Sequence, residues 1–300
     1  MCTSRAPTGF RPGSAAALLP WKRPTRWMPP RPRPRPRART RPISSGVSPV
    51  QREPVYDILT GLVRTIFAVQ GLRIDIQGQE RIPRTGGAVL AVNHTAYLDF
   101  MEVGLVGRNS GRNVRYMMKA ELEHGIVGFL MKHCKAIGVD RTAGAESYAR
   151  AVTALRDGEL VVVYPEATIS RSFELKEFKS GAARMAIEAQ VPIIPVVIWG
   201  AHRVWTKDIP KKLGRHRFPI NIQIGEPIPP DQPTEELTAT LRAHMSECLE
   251  AAQRDYPMEP GARWVPVRLG GTAPTLERAL VLEQEEMARR RAKAAERKGH

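Results

Sequence analysis

The chain reads as one α/β domain: a mostly parallel, mixed sheet flanked by helices. Three observations predict that class. Strand and helix patterns alternate from Gly71 to Glu226, the order in which parallel strands are joined. Residues 88–92, 160–164 and 191–199 are apolar almost throughout, as strands covered on both faces are. Polar residues stand within two positions after the first two runs, where open α/β sheets place reactive groups.

The elements follow in order. Residues 1–53 hold the basic, Pro-rich run 31–37, which alternates arginine with a residue lacking a backbone donor, so a disordered arm is expected. Its readings are a membrane-surface arm, a nucleic-acid arm, or a tail without a role, which includes sequence upstream of a true start near Val47. Residues 54–70 carry apolar side chains at helical spacing between Pro54 and Gly71, a start and a stop signal. Residues 72–77 alternate like a half-buried strand, and 83–87 form a turn into the central strand 88–92. A helix follows over 100–106, a strand over 114–118, a short helix over 125–135 and a short strand ending near Arg141. Next come a helix over 146–156, the strand 160–164, a helix over 182–190 and the strand entering Trp199. A basic loop with Trp205 (Arg203, Lys207, Lys211, Lys212, Arg215, Arg217) suits an anionic bilayer or the phosphates of coenzyme A. A strand over 220–224 precedes a helix that Thr234 is expected to cap and that runs to Asp255. Residues 54–256 make the domain. The Pro- and Gly-rich stretch 256–274 reads as a linker, and 277–298 as a charged helix expected to fray.

Charge narrows the function classes. The 300 residues carry a formal +16. Residues 1–50 hold eleven Lys or Arg and no acid, which leaves +5 for the rest. The excess belongs to the arm, so nucleic-acid binding by the domain is not supported. Cys2, Cys134 and Cys248 are far apart and lack metal-ligand spacing, so a zinc site is not expected and a reduced, cytoplasmic setting is. No apolar run approaches the roughly 20 residues that span a bilayer. Contact with lipid is expected from the surface.

The chemistry centres on residues 93–99, Asn-His-Thr-Ala-Tyr-Leu-Asp. A histidine here suits a general base. Asp99, five residues on, is spaced to fold back and orient one ring nitrogen. The two form the base and orienter of a triad whose nucleophile is missing, so a substrate hydroxyl can fill that place. A carboxylate at Glu166, just past a buried strand, is costly to desolvate without a partner. It is expected to order the substrate or hold a nearby base.

These blocks, with 136–141 (Ala-Ile-Gly-Val-Asp-Arg), 165–170 (Pro-Glu-Ala-Thr-Ile-Ser) and 191–196 (Val-Pro-Ile-Ile-Pro-Val), fall in the order found in the glycerolipid acyltransferases. The chain resembles that family over roughly residues 71–226. Lys119-Ala-Glu121-Leu122 also matches. The resemblance implies a fold like that of glycerol-3-phosphate acyltransferase and an O-acyltransferase reaction on 1-acylglycerol-3-phosphate, giving phosphatidic acid. It makes His94 and Asp99 catalytic. Asn93, Arg141, Glu166, Thr168, Arg171 and Lys179 become substrate-binding candidates, with Arg141 holding the acceptor phosphate. Oxyanion donors are expected near Asn93 or the Glu166 turn. Acyl-CoA or acyl-carrier protein is the implied donor, a lysophospholipid the acceptor and a membrane surface the setting, at the inner face of the plasma membrane. No metal, cofactor or nucleic acid is implied.

Two departures bear on the acceptor. Ala167 stands where the family has glycine, and Ile169 where it has arginine. Arg171, Lys176 or Lys179 can replace that cation. A different lysolipid or glycolipid acceptor, or a silent protein keeping the fold, are the alternatives.

Overall fold

Strand burial explains the layering. In a computed structural model, which describes residues 53–119, 128–129, 132–139 and 144–298, the apolar run becomes β2 (Ala88–Val92), buried at all five positions. A strand with side chains on both faces needs cover on both. Val89 and Ala91 join one apolar cluster; Ala88, Leu90 and Val92 join the other. β5 (Leu160–Val163) and β6 (Ile193–Trp199) flank β2 in parallel. Beyond β5 lie β3 (Val114–Lys119) and β4 (Ile137–Val139), also parallel. Beyond β6 lies β7 (Pro219–Ile224), antiparallel to β6, and then β1 (Arg73–Gln77), parallel to β7. The order is β1-β7-β6-β2-β5-β3-β4, a mixed seven-stranded sheet. The expected class is the observed one.

The helices divide between the faces. α1 (Pro54–Gln70) starts on Pro54 and stops at Gly71, whose φ of 69° lets its amide and the next one bond back to Ala68 and Phe67. Tyr56 of α1 packs with Val103 and Val106 of α2 (Asp99–Asn109) over one face. α3 (Gly144–Arg156), α4 (Gly181–Ala189) and α5 (Thr234–Gln253) cover the other. Arg115, pointing off β3, is buried and doubly bonded to Glu53 at 2.6 and 2.7 Å. This pair ties the start of α1 to the sheet.

Four expectations are corrected. Thr234 does not cap α5: it is the first helical residue, and the cap position falls on Pro233, without a side-chain bond. The helix ends at Gln253, two residues before Asp255. Residues 256–274 do not behave as a linker. Tyr256, Trp264, Val265 and Ala273 are buried in the core cluster beside Trp199, so its turns wrap the domain because its aromatics have a place to go. The last helix, α6 (Leu276–Lys298), is formed over its whole predicted length. Carboxylates anchor it to the domain rather than leaving it loose. The Lys119–Leu122 block and the helix expected over 125–135 fall partly, and Arg141 entirely, outside the described residues.

Candidate active site

β2 delivers its last side chains to a turn held from three sides. Asn93 is buried, and both ends of its amide bond the backbone of Ile198 on β6: Nδ2 donates at 3.1 Å and Oδ1 accepts at 2.7 Å. It fastens the strand end, and its amide is spent on that task rather than turned to a substrate. His94 follows. Its backbone amide donates to Glu166 Oε1 at 3.0 Å, and its carbonyl accepts from Ser170 N at 2.8 Å. Thr206 Oγ1 donates to the Thr95 carbonyl at 2.6 Å.

The two catalytic candidates meet. His94 Nδ1 lies 3.0 Å from Asp99 Oδ2. The same oxygen accepts the amides of Thr95 and Ala96, each at 2.9 Å. Asp99 is fully buried at the first position of α2, where helix amides and the helix dipole favour negative charge. A carboxylate so held fixes the imidazole tautomer, with the proton on Nδ1 and the lone pair on Nε2. The ring stacks on Tyr164 at 4.3 Å between centroids, so it cannot swing freely.

Glu102, one turn beyond Asp99, was not flagged by sequence. It too is buried. Burial first, then the Asp99 charge, pushes its carboxyl well above the ordinary range, which favours the neutral acid behind the pair. A glutamate inside an apolar helical stripe was the only available signal.

His94 opens into an apolar cavity of about 520 Å³ between α1 and α2. Tyr56, Leu59, Val63, Met101, Leu105 and Tyr116 are among its walls. Few polar groups line it, so it suits a hydrocarbon chain.

On the other side of His94 stands the Glu166 loop. Glu166 is buried. Its second oxygen accepts Lys176 N at 3.3 Å, so of the two roles expected, the geometry carries the holding of the base's backbone. Burial raises its pKa to about 7, against the lowering effect of the two amide bonds. Ala167 takes φ 61°, a conformation that suits the glycine the resemblance calls for. Ile169 is buried. Arg171 bonds Asp208 at 2.5 Å and Glu286 at 2.8 Å. Thr168 donates to Glu283 and accepts from Lys176. Lys179 is exposed, and its backbone amide donates to Pro165. The basic loop is also divided. Arg203 lies between Trp264 at 4.1 Å and Phe218 at 4.3 Å, and Lys207 bonds Glu286 at 3.0 Å. Lys211, Lys212, Arg215 and Arg217 stay on the surface. No group of three His, Cys, Asp or Glu that could hold a metal gathers among the described residues.

A buried aspartate behind a histidine, at a strand end and beside an apolar cavity, suits proton abstraction from a lipid alcohol. The acyltransferase family model matches residues 73–199, which contain the whole His94–Glu166 constellation. The chain belongs to the glycerolipid acyltransferase family. Among its relatives, a probable 1-acyl-sn-glycerol-3-phosphate acyltransferase of Mycoplasma pneumoniae is 30% identical over 56% of this chain and 66% of its own. The 1-acyl-sn-glycerol-3-phosphate acyltransferase of Bacillus subtilis is 28% identical over 58% and 82%. An uncharacterized acyltransferase of Schizosaccharomyces pombe is 33% identical over 46% of this chain, which spans only 50% of that relative's length. The crystal structure of the 1-acyl-sn-glycerophosphate acyltransferase PlsC from Thermotoga maritima shares the fold. Its TM-score is 0.58 at 19% identity, covering 68% of this chain and 81% of that one.

Proposed function

We propose that this protein transfers a fatty acyl group from an acyl thioester to the free hydroxyl of 1-acylglycerol-3-phosphate, giving phosphatidic acid. The observation that carries the reading is the His94–Asp99 pair at the mouth of the apolar cavity. His94 Nε2 takes the hydroxyl proton as the alcohol oxygen attacks the thioester carbonyl. The buried Asp99 carboxylate stabilises the imidazolium that forms. The tetrahedral intermediate then expels the thiolate, which takes the proton back from Nε2. The ester C–O bond has formed, the C–S bond has broken, and the imidazole is neutral again. The cavity holds the acyl chain.

The rim supports a membrane setting. Leu62, Tyr97 and Phe100 line the cavity and are also exposed, and Ile58 and Val69 extend the apolar surface of α1. Apolar side chains that join a cavity wall to solvent suit entry of lipid from a bilayer surface. Acyl-CoA and acyl-carrier protein are cytoplasmic donors, so the reading places the enzyme peripherally on the inner face of the plasma membrane. A second reading, an unphosphorylated lysolipid or glycolipid acceptor, is favoured by buried Ile169 and by the engagement of Arg171 with carboxylates of the chain itself.

Incubation of the protein with mixed acyl-CoA thioesters and either lysophosphatidate or monoacylglycerol, followed by lipid mass spectrometry, separates the two. The proposal expects phosphatidate from the first and little diacylglycerol from the second. Equal or greater diacylglycerol formation would overturn it in favour of the second reading.

A further inference from the structure

Three cations beside the catalytic turn are occupied by the chain's own carboxylates. Arg171, Lys176 and Lys207 are each about 10% exposed as side chains. They project from the two segments that bond the 94–97 turn directly, through Ser170 N, Glu166, Thr206 Oγ1 and the Trp205 carbonyl. Lys176 Nζ lies 3.0 Å from Glu283 Oε2, and Thr168 donates to the same carboxylate. Glu286 Oε2 lies 2.8 Å from Arg171 and 3.0 Å from Lys207. Both glutamates come from α6. Cations this far from water need an anion beside them, and two carboxylates three residues apart on one helix present four oxygens, much as a phosphate group or diphosphate does.

The attachment of α6 is unlike that of the other helices. Ala279 is its only buried apolar side chain among those described, while Leu276, Leu280, Val281 and Met287 are exposed. The helix is therefore held mainly by charge. Contacts of that kind weaken with salt and yield to a better anion.

Thr168, Arg171 and Lys176 stand in or just after the block where the family resemblance already implies phosphate contact; we infer that α6 plugs this cluster, with Lys207, in cis through Glu283 and Glu286 until a phosphate-bearing substrate displaces them. The inference rests on the acyl-transfer reading for which substrate is meant, but not for the site itself. The ligand is a phosphomonoester or diphosphate, supplied either by the acceptor or by coenzyme A. Burial works against the charge on Glu286, yet the Arg171 and Lys207 hydrogen bonds hold its pKa at about 2, and the Thr168 and Lys176 bonds lower that of Glu283. Both are anions at any working pH. Asp208 stays on Arg171 when the helix leaves, so the vacated site keeps two unpaired cations and one shared one.

The test compares wild type with the double variant Glu283→Gln/Glu286→Gln. A Glu285→Gln control removes one charge from the same helix; among the described residues Glu285 pairs with Arg278 and Arg289 on the surface. Calorimetric titration with inorganic pyrophosphate should show about tenfold tighter binding to the double variant, and no change in the control. In turnover assays the KM for one substrate should fall by a similar factor at constant kcat: lysophosphatidate if the acceptor uses the site, acyl-CoA if the donor does. Hydrogen exchange on wild type gives a second measurement that needs no variant, and α6 amides should exchange faster as pyrophosphate rises. Unchanged or weaker pyrophosphate binding by a folded double variant, an equal effect of Glu285→Gln, or α6 exchange indifferent to pyrophosphate would each overturn the inference. Tight pyrophosphate binding without acyl transfer to any lysolipid would leave the plug standing and overturn the acyl-transfer reading instead.

Discussion

The two sides of His94 are built by different physics. Towards α1 and α2 the walls are mainly apolar, and a carboxylate pair lies buried beside them within four residues of sequence: Asp99 on the histidine and Glu102 behind it. Towards the Glu166 loop the walls are polar, and the contacts reach across the chain. Arg171 and Glu286 are 115 residues apart, Lys176 and Glu283 are 107. The first side is short-range and rigid, the second long-range and exchangeable. In the proposed acyl transfer the chemistry falls on the rigid side, and the inferred phosphate-binding groups fall on the other.

Perturbing the rigid side should cost the most. Asp99→Asn removes the charge that orients and stabilises the imidazole, and kcat should fall by about 10³- to 10⁴-fold in a protein whose circular dichroism is unchanged. A tenfold effect or less would move the orienting role elsewhere.

The polar side should show itself in pH dependence. The Glu166 pKa is raised to about 7 from an ordinary 4.5. The stability linked to its protonation is therefore full below the unfolded value and lost as pH rises from about 4.5 through 7, at up to about 1.4 kcal/mol per pH unit. Glu166→Gln cannot titrate. Its denaturation midpoint should vary less with pH in that window than wild type's, and parallel curves would show that Glu166 does not titrate there.

The apolar wall gives a smaller, selective effect. Leu59→Trp adds bulk to a cavity of about 520 Å³. The variant should lose about tenfold in kcat/KM for the longest acyl thioesters and keep the short ones, as competition assays with mixed chain lengths would read. A uniform loss would place the chain elsewhere. The smallest effect is expected at Arg203→Lys, which gives up a flat guanidinium stacked between Trp264 and Phe218. Stability should fall by about 1 kcal/mol, with kcat unaltered. A kcat change would make this stack part of the site.

The same contrast explains what was legible in the sequence. The buried strands declared themselves through unbroken apolar runs. α1 matched its expected bounds because Pro54 and Gly71 punctuate it. The His94–Asp99 pair was readable because five residues and one helix start bring the two together. The Glu166 block was readable by position, but its partner, the His94 backbone amide, was not, since main-chain donors leave no mark in sequence. In the sequence Arg171, Arg203 and Lys207 show no partner, because Glu286, Trp264 and Glu259 lie 56 to 115 residues away. The stretch 256–274 departs from expectation for a related reason: proline and glycine suggest a linker, and only the folded sheet shows where Trp264 and Val265 lodge.

The central claim is that one imidazole deprotonates the lipid alcohol. It is tested most directly by the turnover of His94→Ala on acyl-CoA and lysophosphatidate under saturating substrate, with folding verified. The account predicts a loss of about 10³-fold or more with the acceptor still bound. A variant that keeps a tenth of wild-type turnover would contradict it.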